Sequence, residues 1–339
     1  MEQNFVGMGT VKQMLKIEIY NQSYQQDWDN FVGASRNGTF MQQRTFLNYH
    51  PPGRFVDCSL MAYNSRGKLI AVIPAAQKMV GQKKVFSSYP GASHGGIIVD
   101  KTFGTSDAMA LVPLLTEHCK SNNFNAIEIK MIPRIYHFWP SDEIDFALRY
   151  YGFSIGSTEL ATALPLKELA EPSDPLIEST QRNIRKAQRL GVTIAESNDL
   201  ATYWRILTDN LKQRHNAEPT HTLAEIHDLI NKYPQSIKLF AAFLQGEMVS
   251  GVVVFLLNSR VINCFYIASD NKYQSLRSGE LLFYKLISWG MEKGYHYLDW
   301  GISTEDKGSR INQGLFEFKE KFGGRGVLRE SYQLNLSCD

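Results

Sequence analysis

The stretch Asn210–Leu229, NLKQRHNAEPTHTLAEIHDL, holds the densest set of reactive side chains in the chain. Thr222-Leu223-Ala224-Glu225 has the form of a capping box, in which a threonine hydroxyl and a glutamate three residues on satisfy each other's backbone N–H groups. That signal predicts a helix from Leu223 and leaves Arg214, His215, Pro219 and His221 in the loop before it. Imidazole changes charge near neutral pH, so His215 and His221 are candidates for taking a proton from a nucleophile. Arg214 is the accompanying candidate for an anion contact. His227 lies within the expected helix and reads as structural. His221, Glu225 and His227 lack H-E-x-x-H spacing, so no metal site is expected.

A second cluster is basic. Arg182, Arg185, Lys186 and Arg189 recur at spacings that put them on one stripe of a helix spanning Pro175–Leu190. Leu176, Thr180, Ile184 and Ala187 occupy the face that packs inward. No acid falls between Glu178 and Glu196, so the stripe reads either as a solvated helix face or as a site for a polyanion. Further along, Arg277-Ser278-Gly279 opens a helix, and capping by Ser278 is the reading that needs no ligand. Asp299 ends a strand, where it either orients a reacting group or caps the next loop. Tyr266 and Asn312 are further candidates for acceptor contacts. Gly91-Ala92-Ser93-His94-Gly95 matches the G-x-S-x-G hydrolase pattern, but a strand follows it where a nucleophile elbow needs a helix. It reads as a glycine-rich turn able to line a cleft.

The elements that must position these groups fall into two series. The first runs through strand Lys16–Tyr20, helices near Tyr24–Ser35 and Thr45–His50, and strands Asp57–Tyr63, Leu69–Met79, Lys84–Tyr89 and Gly95–Val99. Helix Ser106–Lys120, strand Ala126–Ile132 and helix Ile144–Tyr151 complete it. The second series repeats the order with helix Pro175–Leu190, strand Val192–Ala195 and helices Leu200–His215 and Leu223–Tyr233. Strands Ile237–Leu244, Val249–Leu257 and Val261–Ala268 follow, then helix Gly279–Lys293, strand Tyr297–Trp300, helix Leu315–Phe322 and strand Gly326–Leu334. A seam is expected at Leu160–Asp174, which divides the chain into residues 1–165 and 166–339. Periodicity alone describes an α/β or α+β fold with a mixed sheet.

With 339 residues, 43% of them hydrophobic and 21% charged, the chain has material for two globular domains. Lys+Arg 36 against Asp+Glu 34 gives a net charge of +2, far from that of a dedicated DNA binder. Cys58, Cys119, Cys264 and Cys338 are scattered without a C-x-x-C pair, which fits a reducing compartment. The first residues do not resemble a secretory signal, and no apolar run is long enough for a membrane span. A cytoplasmic location is expected.

Two motifs carry a family resemblance. RNIRKAQRLGVTI (Arg182–Ile194) resembles the R-x-x-R-K-A-x-x-x-G-V segment of the Fem family, and GYHYLDWGIS (Gly294–Ser303) with INQGLFEFKEKFGG (Ile311–Gly324) resembles its D-x-G and G-L-x-x-F-K-x-x-F-G patterns. The likeness spans most of residues 160–339; before them it rests on element order. Fem proteins are double-GNAT aminoacyl transferases that build peptidoglycan bridges, and similar GNAT (acetyl-coenzyme-A-dependent N-acyltransferase) proteins use acyl-coenzyme A. The resemblance therefore implies two tandem GNAT-like domains and N-acyl transfer to an amine of a phosphorylated or nucleotide-linked cell-envelope precursor. Lys319 would stabilise the oxyanion, with its neighbour Phe318 lining the substrate site, His221 or His215 acting as base, and Asp299 orienting the amine or the histidine. Arg182, Arg185 and Lys186 would hold the phosphorylated acceptor. Acyl-coenzyme A would enter as co-substrate at Arg277, Ser278 and Gly279, with no tightly bound cofactor. That turn departs from the Q/R-x-x-G-x-G/A pattern, which weakens coenzyme A binding. The family's coiled-coil tRNA arm has no counterpart in this sequence, which tilts the donor toward acyl-coenzyme A over aminoacyl-tRNA. A non-catalytic polyanion-binding module is the alternative from another class.

Overall fold

The computed structural model describes residues 15–51 and 53–336; Cys338 and the N-terminal residues read for a secretory signal lie outside them. In chain order, β1 (Lys16–Ile19), α1 (Gln25–Ala34), α2 (Arg44–Leu47), β2 (Val56–Asp57), β3 (Leu60–Tyr63) and β4 (Leu69–Ile73) come first. Next are β5 (Ala76–Val80), β6 (Lys83–Ser87), β7 (Ile98–Val99), α3 (Thr105–Ser121), β8 (Ala126–Lys130), α4 (Glu143–Tyr150) and β9 (Ser154–Pro165). The second series opens with α5 (Glu178–Arg189), β10 (Thr193–Ser197), α6 (Leu200–His215), α7 (Leu223–Lys232), β11 (Ile237–Leu244) and β12 (Glu247–Leu256). It closes with β13 (Val261–Ser269), α8 (Ser278–Glu292), β14 (Tyr297–Ile302), β15 (Thr304–Glu305), β16 (Arg310–Ile311), α9 (Gln313–Glu320) and β17 (Arg325–Asn335).

One mixed sheet of eleven strands runs through both series in the order β10-β11-β12-β13-β14-β9-β17-β8-β6-β5-β2. A smaller sheet, β1-β3-β4-β7, packs in the first series. The halves trade strands at the centre. β9, from the first series, pairs with β14, and the C-terminal β17 pairs with β8. β9 and β17 also pair with each other over most of their length. The two tandem GNAT-like units therefore share a continuous hydrogen-bonded backbone.

Three expectations need correction. The span Leu69–Met79 is two strands in different sheets, because Pro74 has a fixed φ and no N–H to give to a ladder. Leu160–Pro165 belongs to β9 and carries no break; its Ala161, Thr162, Ala163 and Leu164 are all buried between β14 and β17. Helix α6 also runs on through Arg214 and His215, so the loop begins only at Asn216, which stops the helix in the left-handed conformation. The capping box at Thr222 and Glu225 forms as expected.

Gly308 shows how closely the β15–β16 hairpin lies on β9. Its φ is +94°, and a Cβ there would stand 1.8 Å from the Thr158 carbonyl oxygen. Gly308→Ala combines an overlap with a left-handed backbone that alanine disfavours, so it should lower unfolding free energy by about 2–3 kcal/mol in urea melts. A loss within experimental error would mean that the hairpin does not rest on β9.

Candidate active site

β13 and β14 run parallel but pair only from Val261 to Asn263 and from Tyr297 to Asp299. Past those residues they part. The β12 ladder also skips Phe265, passing from Val253↔Tyr266 to Val254↔Cys264, so β13 carries a bulge there. A parallel pair that opens in this way leaves backbone groups and a wedge of space beside the strand ends.

Asp299 stands at the point of parting and is fully buried. Its Oδ2 accepts hydrogen bonds from the Tyr136 hydroxyl, from Arg329 at 2.6 Å and from Asn263 Nδ2 at 3.3 Å, while Oδ1 accepts the Gly301 N–H at 2.7 Å. One carboxylate thus joins a loop of the first half, strand β13 and the exchanged strand β17. Burial, followed by the Asp299 charge, holds the Tyr136 phenol well above its ordinary pKa. The His94 ring stacks on Tyr136 with centroids 5.3 Å apart, and burial holds it neutral.

Lys319 lies on α9 with 1% of its surface exposed. Its ammonium donates to Gly301 O at 2.8 Å, Ile302 O at 2.9 Å and Ser303 Oγ at 2.7 Å. All three N–H bonds are thereby used, and they fix the end of β14. Burial lowers its pKa to about 8, against the attraction of Asp299. Its neighbour Phe318 packs edge-on against Phe283 and Phe322. Asn312 caps α9 by accepting the Leu315 N–H at 3.1 Å.

His221 meets the first half across a cavity of about 100 Å³. Tyr49, His50, Tyr89 and the Gly91-Ala92-Ser93 turn form one side; Thr220, His221 and Phe265 form the other. His221 Nδ1 lies 2.6 Å from the Tyr266 hydroxyl, which also accepts the His221 backbone N–H at 3.1 Å. Its Nε2 is buried without a partner among the described residues. Burial lowers the His221 pKa to about 4, so the ring is neutral at pH 7. His50 behaves alike: burial first, then the nearby Arg54 charge, takes it to about 4. Tyr49 lies between the two imidazoles, 3.9 Å from the His50 centroid and 5.2 Å from that of His221.

The start of α8 lies elsewhere, with α5 packed along that helix. Arg277 takes the left-handed cap position with φ +60°, and Ser278 turns inward to Ser250 Oγ at 2.9 Å. Ser278 therefore does not cap the helix, because a cap residue's side chain must point back along the axis. Among the described residues, nothing beyond its own helix and chain neighbours lies within 4 Å of where a Cβ on Gly279 would sit. Asn183 of α5 donates to Glu280 at 3.0 Å, which brings the α5 stripe alongside, and Arg214 approaches the same loop at Asn271, 3.5 Å away. Arg182, Arg185, Lys186 and Arg189 are exposed, as their spacing implies.

Tyr266 and His221 are brought together, and so are Asp299 and Lys319 around Gly301. His50, Tyr49, His94, Tyr136, Asn263 and Arg329 escape a reading of local spacing, because their partners lie on other elements. The Gly91–Ser93 turn was the one sequence signal pointing to this wall. No group of three His, Cys, Asp or Glu among the described residues could hold a metal, and no helix there is long and apolar enough to cross a membrane. Cys58, Cys119 and Cys264 are free thiols.

Residues 177–319 match the acetyltransferase (GNAT) domain family, a span somewhat under half of the chain. Curated proteins offer no sequence match. Among solved structures, FemX superposes with a TM-score of 0.69 at 15% identity, covering 95% of this chain and 97% of that one. L-PGS from Bacillus licheniformis gives 0.60 at 16%, covering 92% and 93%. A tandem GNAT protein from the clavulanic acid biosynthesis pathway gives 0.55 at 9%, covering 96% and 100%. The chain has a tandem GNAT fold of the kind seen in FemX, and the family match falls within its second half.

Proposed function

We propose that the protein transfers an acyl group from an activated donor to an amine held in the cavity between its halves, with His221 as proton acceptor. The observation that carries this reading is the unpartnered, buried Nε2 of a neutral His221 on that cavity, with Nδ1 bound to Tyr266. With its proton on Nδ1 and donated to the Tyr266 hydroxyl, the imidazole keeps an unused lone pair on Nε2. As the amine attacks the acyl carbon, its N–H acidifies; His221 takes that proton, the tetrahedral adduct expels the thiolate or alkoxide of the donor, and the proton follows the leaving group.

The donor enters where β13 and β14 part. Its phosphates are met by Arg277 and the N-terminal N–H groups of α8, which no cap side chain occupies, with α5 beside them. Lys319 acts as a positioning residue, since its bonds hold the carbonyls of Gly301 and Ile302, and its charge biases the wedge toward a developing oxyanion. Acyl-coenzyme A is the donor that this arrangement favours. Aminoacyl-tRNA is the second reading, favoured by the higher TM-score of the FemX superposition. The acceptor is an amine on a phosphorylated or nucleotide-linked cell-envelope precursor, with Arg54 beside the cavity histidines as its anion partner.

Thermal unfolding with acetyl-coenzyme A, with ATP and with alanyl-tRNA distinguishes the donors. A ligand at 100 times its Kd adds about 2.7 kcal/mol, a rise of several degrees. Stabilisation by acetyl-coenzyme A beyond that by ATP is expected, and the double variant Arg185→Glu, Lys186→Glu should reduce it. Stabilisation by alanyl-tRNA alone transfers the donor role to aminoacyl-tRNA. If neither donor is bound, nor consumed in the presence of amines, the acyl-transfer reading fails.

A further inference from the structure

A second concavity lies at the other end of β13, and nothing in acyl transfer requires it. It measures about 410 Å³, within the range of small-ligand sites. One wall is the end of α1 with the segment Gly38–Gln43; the other is the β12–β13 turn with Gln235, Ser236 and Tyr295. Seven residues separate Ser259 on its rim from Tyr266 at the His221 site, roughly 20 Å along an extended strand.

Among the described residues no charged side chain lines the groove, although about a fifth of the chain is charged. Phosphates and carboxylates would find no counter-ion there. What it offers is neutral and planar. Tyr233 donates to Gln43 Oε1 at 3.0 Å, fixing the amide with Nε2 over Gly33. Gln235, Ser236 and Ser259 contribute an amide and two hydroxyls with no side-chain partner among the described residues. Phe138 presents an aromatic surface that is 38% exposed, and Tyr295 is held nearly parallel to Trp289, 5.7 Å away. Rings to stack on the C–H face of a pyranose, with amides and hydroxyls to meet its hydroxyl groups, describe a site for a neutral sugar.

We propose that this groove, where Gln43 and Gly33 of the first half face the β12–β13 turn and Tyr295 of the second, binds an uncharged saccharide of one or two rings. Gly33 supplies a clean test. Only Gln43 Nε2 lies within 4 Å of a Cβ built there, at 3.9 Å, and the residue is helical, so Gly33→Leu fills the groove while favouring the helix. The full chain would be titrated to tens of millimolar with maltose, cellobiose and N,N′-diacetylchitobiose in turn, following the backbone amides of Gly33, Gly38, Ser236 and Ser259 by NMR. Glucose 6-phosphate is the charged control. Saturable shifts at those amides with at least one disaccharide are expected, with a Kd raised about tenfold or more in Gly33→Leu. A thermal midpoint no lower than the parent's shows that variant to be folded. Absence of shifts with all three sugars, binding unchanged by Gly33→Leu, or equal binding of glucose 6-phosphate would each overturn the proposal.

Discussion

Asp299→Ala should cost the folded protein about 3–5 kcal/mol, the usual penalty for removing one partner of a buried ion pair. Arg329 would keep its charge with only 12% of its side chain exposed and its ion-pair partner gone, leaving only the more distant attraction of Glu159, its neighbour across the β9–β17 ladder. The Tyr136 hydroxyl and the Gly301 N–H would lose their acceptors at the same time. Tyr136→Phe removes only a neutral donor and should cost about 1 kcal/mol. Urea unfolding of both variants checks the order. Because the network joins a loop of the first half, β13 and β17, Asp299→Ala should also change the m-value if the halves begin to unfold separately. A cost below that of Tyr136→Phe would show that the carboxylate does not tie the halves together.

His221→Ala should lower turnover by about 10²–10⁴-fold, the range for losing a positioned base, with little change in donor binding. The pH profile separates this role from simple packing. A base must be unprotonated, and burial has taken His221 to a pKa of about 4, so the acid limb of kcat should fall near pH 4 with no inflection at 6.5. Stability has a related sign. The folded pKa lies below the unfolded value near 6.5, so the unfolded chain binds the proton more readily and stability declines as pH falls from 6.5 toward 4. His137, also lowered to about 4 by burial, adds to that decline. Each such imidazole contributes a slope of up to roughly 1.4 kcal/mol per pH unit in that window. His221→Ala should make the stability curve shallower there. Turnover that survives the substitution, or an inflection at 6.5 that disappears with it, would contradict a buried neutral base.

Much of the chain's local order was legible without coordinates. The stripe of Arg182, Arg185, Lys186 and Arg189 is exposed because Ile184 and Ala187, at the complementary helical spacing, are buried. Thr222 and Glu225 close their capping box within four residues. Gln245 and Gly246 both take positive φ in the β11–β12 turn, the geometry that such a pair suits. The order of helices and strands follows from signals of this range, and so does the basic character of the α5 face; the GNAT label rests on the family resemblance.

The chemistry of the site depended on contacts that sequence spacing does not encode. Tyr136 and Asp299 are 163 residues apart, and His50 approaches His221 only because α2 packs against α7. Phe318 and Lys319 are adjacent in one motif, yet one fills an aromatic core and the other is spent on the end of β14. A helix face or a cap is set by a few neighbouring residues and the period of the backbone, so it can be read from the chain. Whether a histidine is neutral, or a carboxylate already satisfied, depends on how much water distant strands exclude and which donors they deliver. Here the exchanged strands β9 and β17 enclose Asp299 and deliver Arg329, while Tyr49, His50 and the Gly91–Ser93 turn enclose His221, and so settled what the named residues are free to do.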